Sequence, residues 1–169
     1  MLVVATMDPP AEFSNRAVTD ERIKILKQLD PDPKHIILGQ YNGYRYEDNI
    51  RADSQTDTFF ALKTQINSDR WRGVPIYMRA GKKLARSVTE ISIVFKIPAN
   101  RMFPNYSLGN RPNILTYRIQ PNEGIALEIL TKRPGHKLLI DKDYMQFCYS
   151  TKKNTQFDAY EKLIYDAIR

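Results

Sequence analysis

The apolar positions of the chain change period twice, and the changes divide it into helix, sheet and helix again. Across 15–29, Val18, Ile25, Leu26 and Leu29 recur at helical spacing, with Arg22, Lys24, Lys27 and Gln28 on the other side. Ser14 or Asn15 can cap the start, because a short side-chain oxygen accepts from an N–H that the first turn leaves without a partner; Pro31 and Pro33 stop continuation. Upstream, the apolar run 1–7 reads as the last turns of a helix halted by Pro9 and Pro10. Residues 35–41, HIILGQY, read as a short buried strand with His35 as a structural histidine at its entry, and Asn42-Gly43 as the turn after it. From Thr58 the period is two. Phe60, Leu62, Thr64 and Ile66 share one face, and Phe59, Ala61, Lys63 and Gln65 the other. Trp71, in the tight connection SDRWRG, is placed to plug the end of a core.

Further strands are predicted at 74–79, at 90–97 where Ile91, Ile93, Phe95 and Ile97 alternate with Glu90, Ser92, Val94 and Lys96, and at 113–120, 124–132 and 143–149. The total is about seven by these rules. A last amphipathic stripe, Phe157, Tyr160, Leu163, Ile164, Ala167 and Ile168, follows a Thr155/Asp158 pair that resembles a capping box. No glycine, asparagine or proline ends it before Arg169. The pattern therefore predicts a chain that opens inside one helix and stops inside another, as a piece of a longer protein would. One-sided alternation with short connections predicts an α+β fold: a mostly antiparallel β-sheet with helices packed on one face, forming a single domain over 1–169.

Composition narrows the function classes. A chain of 169 residues with 42% hydrophobic content can build a core without disulfides. Cys148, the only cysteine, excludes an internal disulfide and any thiol-based zinc spacing, and fits a reducing, cytoplasmic setting. The seven apolar residues at the start are too short to cross a bilayer and lack the basic flank of a signal peptide, so no membrane partner is expected. There is no HExxH, CxxC or spaced carboxylate cluster, which leaves no metal site in view. No G-x-G-x-x-G follows a strand either. His136 follows Pro134-Gly135 in a predicted hairpin turn and is expected in solvent.

A net charge of +7 favours anionic partners, and the cations cluster. Between Arg70 and Arg86 stand six Arg or Lys and no carboxylate, arranged around Gly81-Lys82-Lys83. Glycine there permits a turn and close approach of a ligand, arginine offers a planar fork of donors, and lysine a compact point charge: a set suited to phosphate. The alternative is a solvated basic hairpin. The segment is not a P-loop, since Ile76 stands where that motif needs glycine and Lys83 where it needs a hydroxyl. In 113–120, Thr116, Arg118 and Gln120 lie on one face and Leu115, Tyr117 and Ile119 on the other; the polar row is either a donor set for a hydroxylated anion or a solvent-facing face. A basic β-sheet nucleic-acid-binding module is the competing reading, because Tyr41, Tyr44 and Tyr46 interleave with Arg45 and Arg51 and could stack bases. The basic-glycine-aromatic signature of RNA-binding sheets is absent.

Several spaced segments occur together: VVATMDPP (3–10), ILGQY (37–41), RWRGVPIYMRAGKKL (70–84), RIQPNE (118–123), TKRPG (131–135) and DAYEKLI (158–164). In this order they resemble the glucose-6-phosphate dehydrogenase family, of bacterial type, over essentially all 169 residues as its larger carboxy-terminal part. The resemblance implies NADP-linked oxidation of glucose 6-phosphate to 6-phosphogluconolactone, the first step of the pentose phosphate pathway, by a cytoplasmic homodimer that pairs through the open sheet. It also implies that the Rossmann coenzyme domain and the histidine base of a D-H-Y-L-G-K motif are not in these residues, so the piece alone is expected to be inactive and to bind no NADP. Lys82 matches the family lysine that contacts the sugar phosphate, and Gln120 a glutamine near the same ligand. A second basic residue is usual five positions after that lysine; Ser87 stands there, and Arg86 one position earlier is expected to substitute. Arg79 and Arg118 match positions of a structural NADP site in animal relatives. Val88, Ser92 and Glu128 replace its other basic residues, so no structural NADP is expected.

Overall fold

The computed structural model describes residues 1–97 and 111–149, together with Ile164, Ala167 and Ile168. The chain forms two compact units, Met1–Ala85 and Arg86–Arg169. Every strand pairing described is antiparallel, in two four-stranded sheets, and with the helices this is the α+β class expected from the pattern.

In the first unit, α1 (Leu2–Thr6) and α2 (Asn15–Gln28) precede β1 (Leu29–Asp30), β2 (Ile36–Gly39), β3 (Phe59–Ile66) and β4 (Ile76–Gly81). The Ser14 hydroxyl caps α2 by accepting the Ala17 N–H at 3.2 Å. β3 organises the sheet: β2 and β4 both pair with its first residues, and β1 with Gln65 and Ile66. β4 starts at Ile76, two residues later than the alternation predicts, because Pro75 has no N–H to give the ladder. Ile25 and Ile66 are buried, and so are the polar residues Thr6, Thr58 and Thr64. The Thr64 hydroxyl donates to the Asp30 carbonyl at 2.8 Å, which removes the cost of its burial. Trp71 is half-buried and tied to α1, its indole N–H donating to the Thr6 carbonyl at 2.8 Å.

Two expectations fail here. β2 is not buried: Ile37 is 65% exposed and Leu38 57%, because the strand lies at a sheet edge, pairs only with β3 and has no layer over it within the unit. His35 is likewise exposed at the end of a short 3-10 turn, its Nδ1 3.3 Å from the Asp32 carboxylate.

The second unit is a meander of β5 (Thr89–Val94), β6 (Ile114–Gln120), β7 (Gly124–Lys132) and β8 (Ile140–Cys148). The register aligns Ile91, Tyr117, Ile125 and Phe147 in one row and Ser92, Thr116, Ala126 and Gln146 in the next. Gly124 cannot be replaced cheaply, since a Cβ there would lie 2.3 Å from the Phe147 carbonyl oxygen. The β7–β8 turn uses Gly135 at φ +122°, and His136 in it is exposed as expected. β4 pairs with β3 and β5 with β6, so the basic stretch joins two sheets and is not a hairpin. The predicted last helix falls mostly outside the described residues; Ile164, Ala167 and Ile168 are helical and exposed.

Candidate functional site

Lys82 follows the last residue of β4, and its backbone N–H donates to the Thr58 carbonyl at 2.8 Å. Gly81 is needed for close packing and not for the turn: a Cβ would lie 2.8 Å from the Phe59 ring. The residue in the left-handed region is Lys83, at φ +51°. Its ammonium pairs with the Glu47 carboxylate and lies 4.7 Å from the centre of the Tyr41 ring. Hydrogen bonds from Lys83 and then from Tyr41 hold Glu47 below the usual carboxylate range, and Glu47 in turn raises Lys83. Loss of hydration, with Glu47 alongside, raises the Tyr41 phenol.

The six cations of 70–86 are therefore not equivalent. Arg70 pairs with Asp8 at 2.7 Å, Arg72 with Asp69 at 2.8 Å, and Lys83 with Glu47, so carboxylates from outside the run neutralise half of it. Among the described residues, Arg79, Lys82 and Arg86 have no ion-pair partner, and all three are exposed. No spacing rule links Glu47 to Lys83, 36 positions apart, so the Glu47–Lys83–Tyr41 cluster is invisible to a linear reading.

In the second unit, Gln120 ends β6 and lines an open hollow of about 550 Å³ formed by residues 87–89 and 120–123. Ser87 and Gln120 thus share one surface, and Arg86 directly precedes it in the chain. The turn after Gln120 places Asn122 at φ +59°, a region that asparagine tolerates better than most residues, and the Glu123 carbonyl accepts the Tyr149 N–H at 2.9 Å. The lining brings the Gln120 and Asn122 amides, the Ser87 and Thr89 hydroxyls and the Glu123 carboxylate to one hollow, a set suited to sugar hydroxyls more than to a bare anion. Lys82 and Gln120 belong to different units, each with its own part of the candidate set.

Glu128 and Lys142 form an ion pair of 2.7 Å across β7 and β8, and the Ser92 and Thr116 hydroxyls meet at 3.3 Å. Two of the positions read as replacing basic residues are thus occupied by polar groups with partners of their own. Tyr41 packs edge-on against Tyr44, with ring centres 5.4 Å apart, and Lys83 covers it. These rings serve the fold of the Lys83 corner, and nothing in their arrangement favours base stacking.

Comparison with known proteins bears on the whole chain. The family described as glucose-6-phosphate dehydrogenase, C-terminal domain, matches residues 1–169. The glucose-6-phosphate 1-dehydrogenase of Chlamydia pneumoniae is 39% identical over 99% of the chain and 36% of that protein, and that of Borreliella burgdorferi 38% over 99% and 38%. A solved glucose-6-phosphate dehydrogenase in complex with its substrate glucose-6-phosphate superposes with a TM-score of 0.85 at 36% identity, covering 99% of this chain and 36% of that one. The Mycobacterium avium glucose-6-phosphate 1-dehydrogenase gives a TM-score of 0.86 at 29% identity, covering 98% and 35%. The chain thus spans little more than a third of the relatives it matches.

Proposed function

From the premise that the chain belongs to the glucose-6-phosphate dehydrogenase family as its C-terminal domain, we propose that it is the sugar-phosphate-binding and dimerisation domain of an NADP-dependent glucose-6-phosphate dehydrogenase. The observation that carries this reading is the match over the full 169 residues, together with the 36% identity to a structure solved with glucose 6-phosphate. Lys82 supplies the charge that holds the phosphate, Gln120 orients sugar hydroxyls, and Arg86 is the auxiliary cation. The free state of Lys82 and Arg86 among the described residues supports those roles, because a cation already paired within the protein has less to offer an anion.

The oxidation itself, glucose 6-phosphate to 6-phosphogluconolactone as the entry to the pentose phosphate pathway, belongs in this reading to the complete cytoplasmic enzyme. NADP binding is assigned to a coenzyme domain outside these residues, since the chain has no glycine-rich dinucleotide fingerprint. Dimerisation is assigned to the apolar face of the β5–β8 sheet, where Ile93, Tyr117 and Met145 share one face at 37%, 39% and 63% exposure.

The deciding experiment is Lys82→Ala in the complete enzyme. A charge-assisted hydrogen bond made equally in ground and transition states sets KM and leaves kcat alone. Its loss is expected to raise KM for glucose 6-phosphate roughly 10-fold to 100-fold. Substrate kinetics identical to the parent would remove Lys82 from the site. Oligonucleotide binding that weakens with salt would instead favour the nucleic-acid module.

A further inference from the structure

We propose that Glu47 is a positioning residue for Lys82 and acts through Lys83. The inference rests on the reading of Lys82 as a substrate contact. Its starting observation is the backbone of Lys83, whose φ of +51° is a region that a residue bearing a Cβ keeps only when its surroundings hold it there.

The surroundings form a closed circuit. The Lys83 ammonium is bonded to the Glu47 carboxylate and lies 4.7 Å from the Tyr41 ring centre. The Tyr41 N–H donates to the Thr58 hydroxyl at 2.9 Å, and the Thr58 carbonyl accepts the Lys82 N–H at 2.8 Å. Thr58 is itself buried and donates its N–H to the Gly39 carbonyl at 2.8 Å. The circuit therefore runs from Lys82 through Thr58 and the Tyr41 ring to Lys83, whose ammonium Glu47 holds in place, and it fixes the backbone on both sides of the Lys82 side chain.

One consequence is a division of labour between adjacent lysines. Lys83 pairs its charge with Glu47 at the surface, and Lys82, also exposed, has no ion pair among the described residues and is the one of the two available to an anion. Without Glu47 the clamp on Lys83 opens, the left-handed turn relaxes, and Lys82 must be reordered each time ligand binds. Ordering a long side chain and its loop on binding weakens affinity without touching the chemistry.

The test uses the complete enzyme. Glu47→Gln keeps the shape and removes the charge; since an exposed ion pair is well screened, KM for glucose 6-phosphate is expected to rise only roughly threefold to fivefold with kcat within twofold. In a double-mutant cycle, Glu47→Gln added to Lys82→Ala is expected to raise KM no further, because its effect passes through Lys82. Tyr41→Leu, which removes the aromatic face against Lys83 and leaves Glu47 in place, is expected to move KM in the same direction by less, and serves if the Glu47 variant does not fold. An unchanged or lowered KM in Glu47→Gln, or full additivity with Lys82→Ala, overturns the positioning role while Lys82 stands. An unchanged KM in Lys82→Ala overturns both readings together.

Discussion

A Cβ placed on Gly81 would lie 2.8 Å from Cδ2 of Phe59, its antiparallel partner across β3 and β4, and 3.3 Å from the Thr58 carbonyl oxygen. The first distance is shorter than carbon atoms tolerate, and the Thr58 carbonyl is backbone that also receives the Lys82 N–H. Gly81→Ala must therefore displace the Phe59 ring or lift the end of β4. Overpacking of this kind costs about 1–3 kcal/mol. The expected outcome is a lower urea midpoint together with a raised KM for glucose 6-phosphate, because the displaced segment carries Lys82. A variant with both values unchanged would show that the ring moves aside freely.

Trp71 and Thr6 are joined by an indole N–H to carbonyl bond of 2.8 Å across 65 positions of sequence, and Thr6 is a buried residue. Trp71→Phe keeps an aromatic ring and removes the donor. Leaving a buried acceptor without its partner costs about 1–3 kcal/mol. Thermal unfolding followed by circular dichroism is expected to shift to lower temperature by several degrees. No shift would mean that water replaces the indole at no cost.

The second basic position can be assigned by kinetics. Ser87 lines the hollow that holds Gln120, while Arg86 is exposed beside it with no ion pair among the described residues. If Arg86 supplies the auxiliary charge, Arg86→Ala raises KM for glucose 6-phosphate by about threefold to tenfold, less than Lys82→Ala, since its part is secondary to that of Lys82. Ser87→Ala is expected to leave KM unchanged. The reverse result would place the contact one residue later.

Much of this architecture is legible in the pattern. The α2 helix, its Ser14 cap, the alternating strands and the Gly135 turn depend on local spacing and on residues with narrow conformational preferences. What eluded the linear reading depends on pairing between distant residues. An apolar run such as Ile36–Gly39 signals a strand, but not whether anything covers it, and here it lies exposed at an edge. Alternation likewise cannot tell whether β4 and β5 pair with each other; in the fold they have separate partners.

The candidate site was legible to a similar depth. Lys82 stood out by its neighbours in sequence, and Gln120 by its place at the end of an alternating strand. The division of the basic run into paired and unpaired cations did not, because two of the three carboxylates that set it, Asp8 and Glu47, lie 62 and 36 positions from Arg70 and Lys83. Counting charge within a window treats Lys82 and Lys83 as equals. Tertiary pairing ties Lys83 to Glu47 and leaves Lys82 without an ion pair among the described residues.

The β7–β8 edge gives a prediction in pH. The hydrogen bond from Lys142 holds the Glu128 carboxyl below its usual range, and the bond from Arg133 does the same for Asp141, with ion-pair distances of 2.7 and 2.6 Å. A carboxyl whose pKa is lower folded than unfolded makes the unfolded chain bind more protons as pH falls, so its stabilising contribution is complete above the unfolded value and is lost through the folded one. The unfolded values lie at about pH 4. Glu128→Gln cannot titrate at this position. The difference in urea midpoint between the parent and Glu128→Gln is therefore expected to be full near neutrality, to shrink below about pH 4, and to be small throughout in high salt, which screens a pair this close to the surface. A difference that stays constant from neutral to acid pH would mean that the substitution acts through packing and not through the Glu128–Lys142 charge pair.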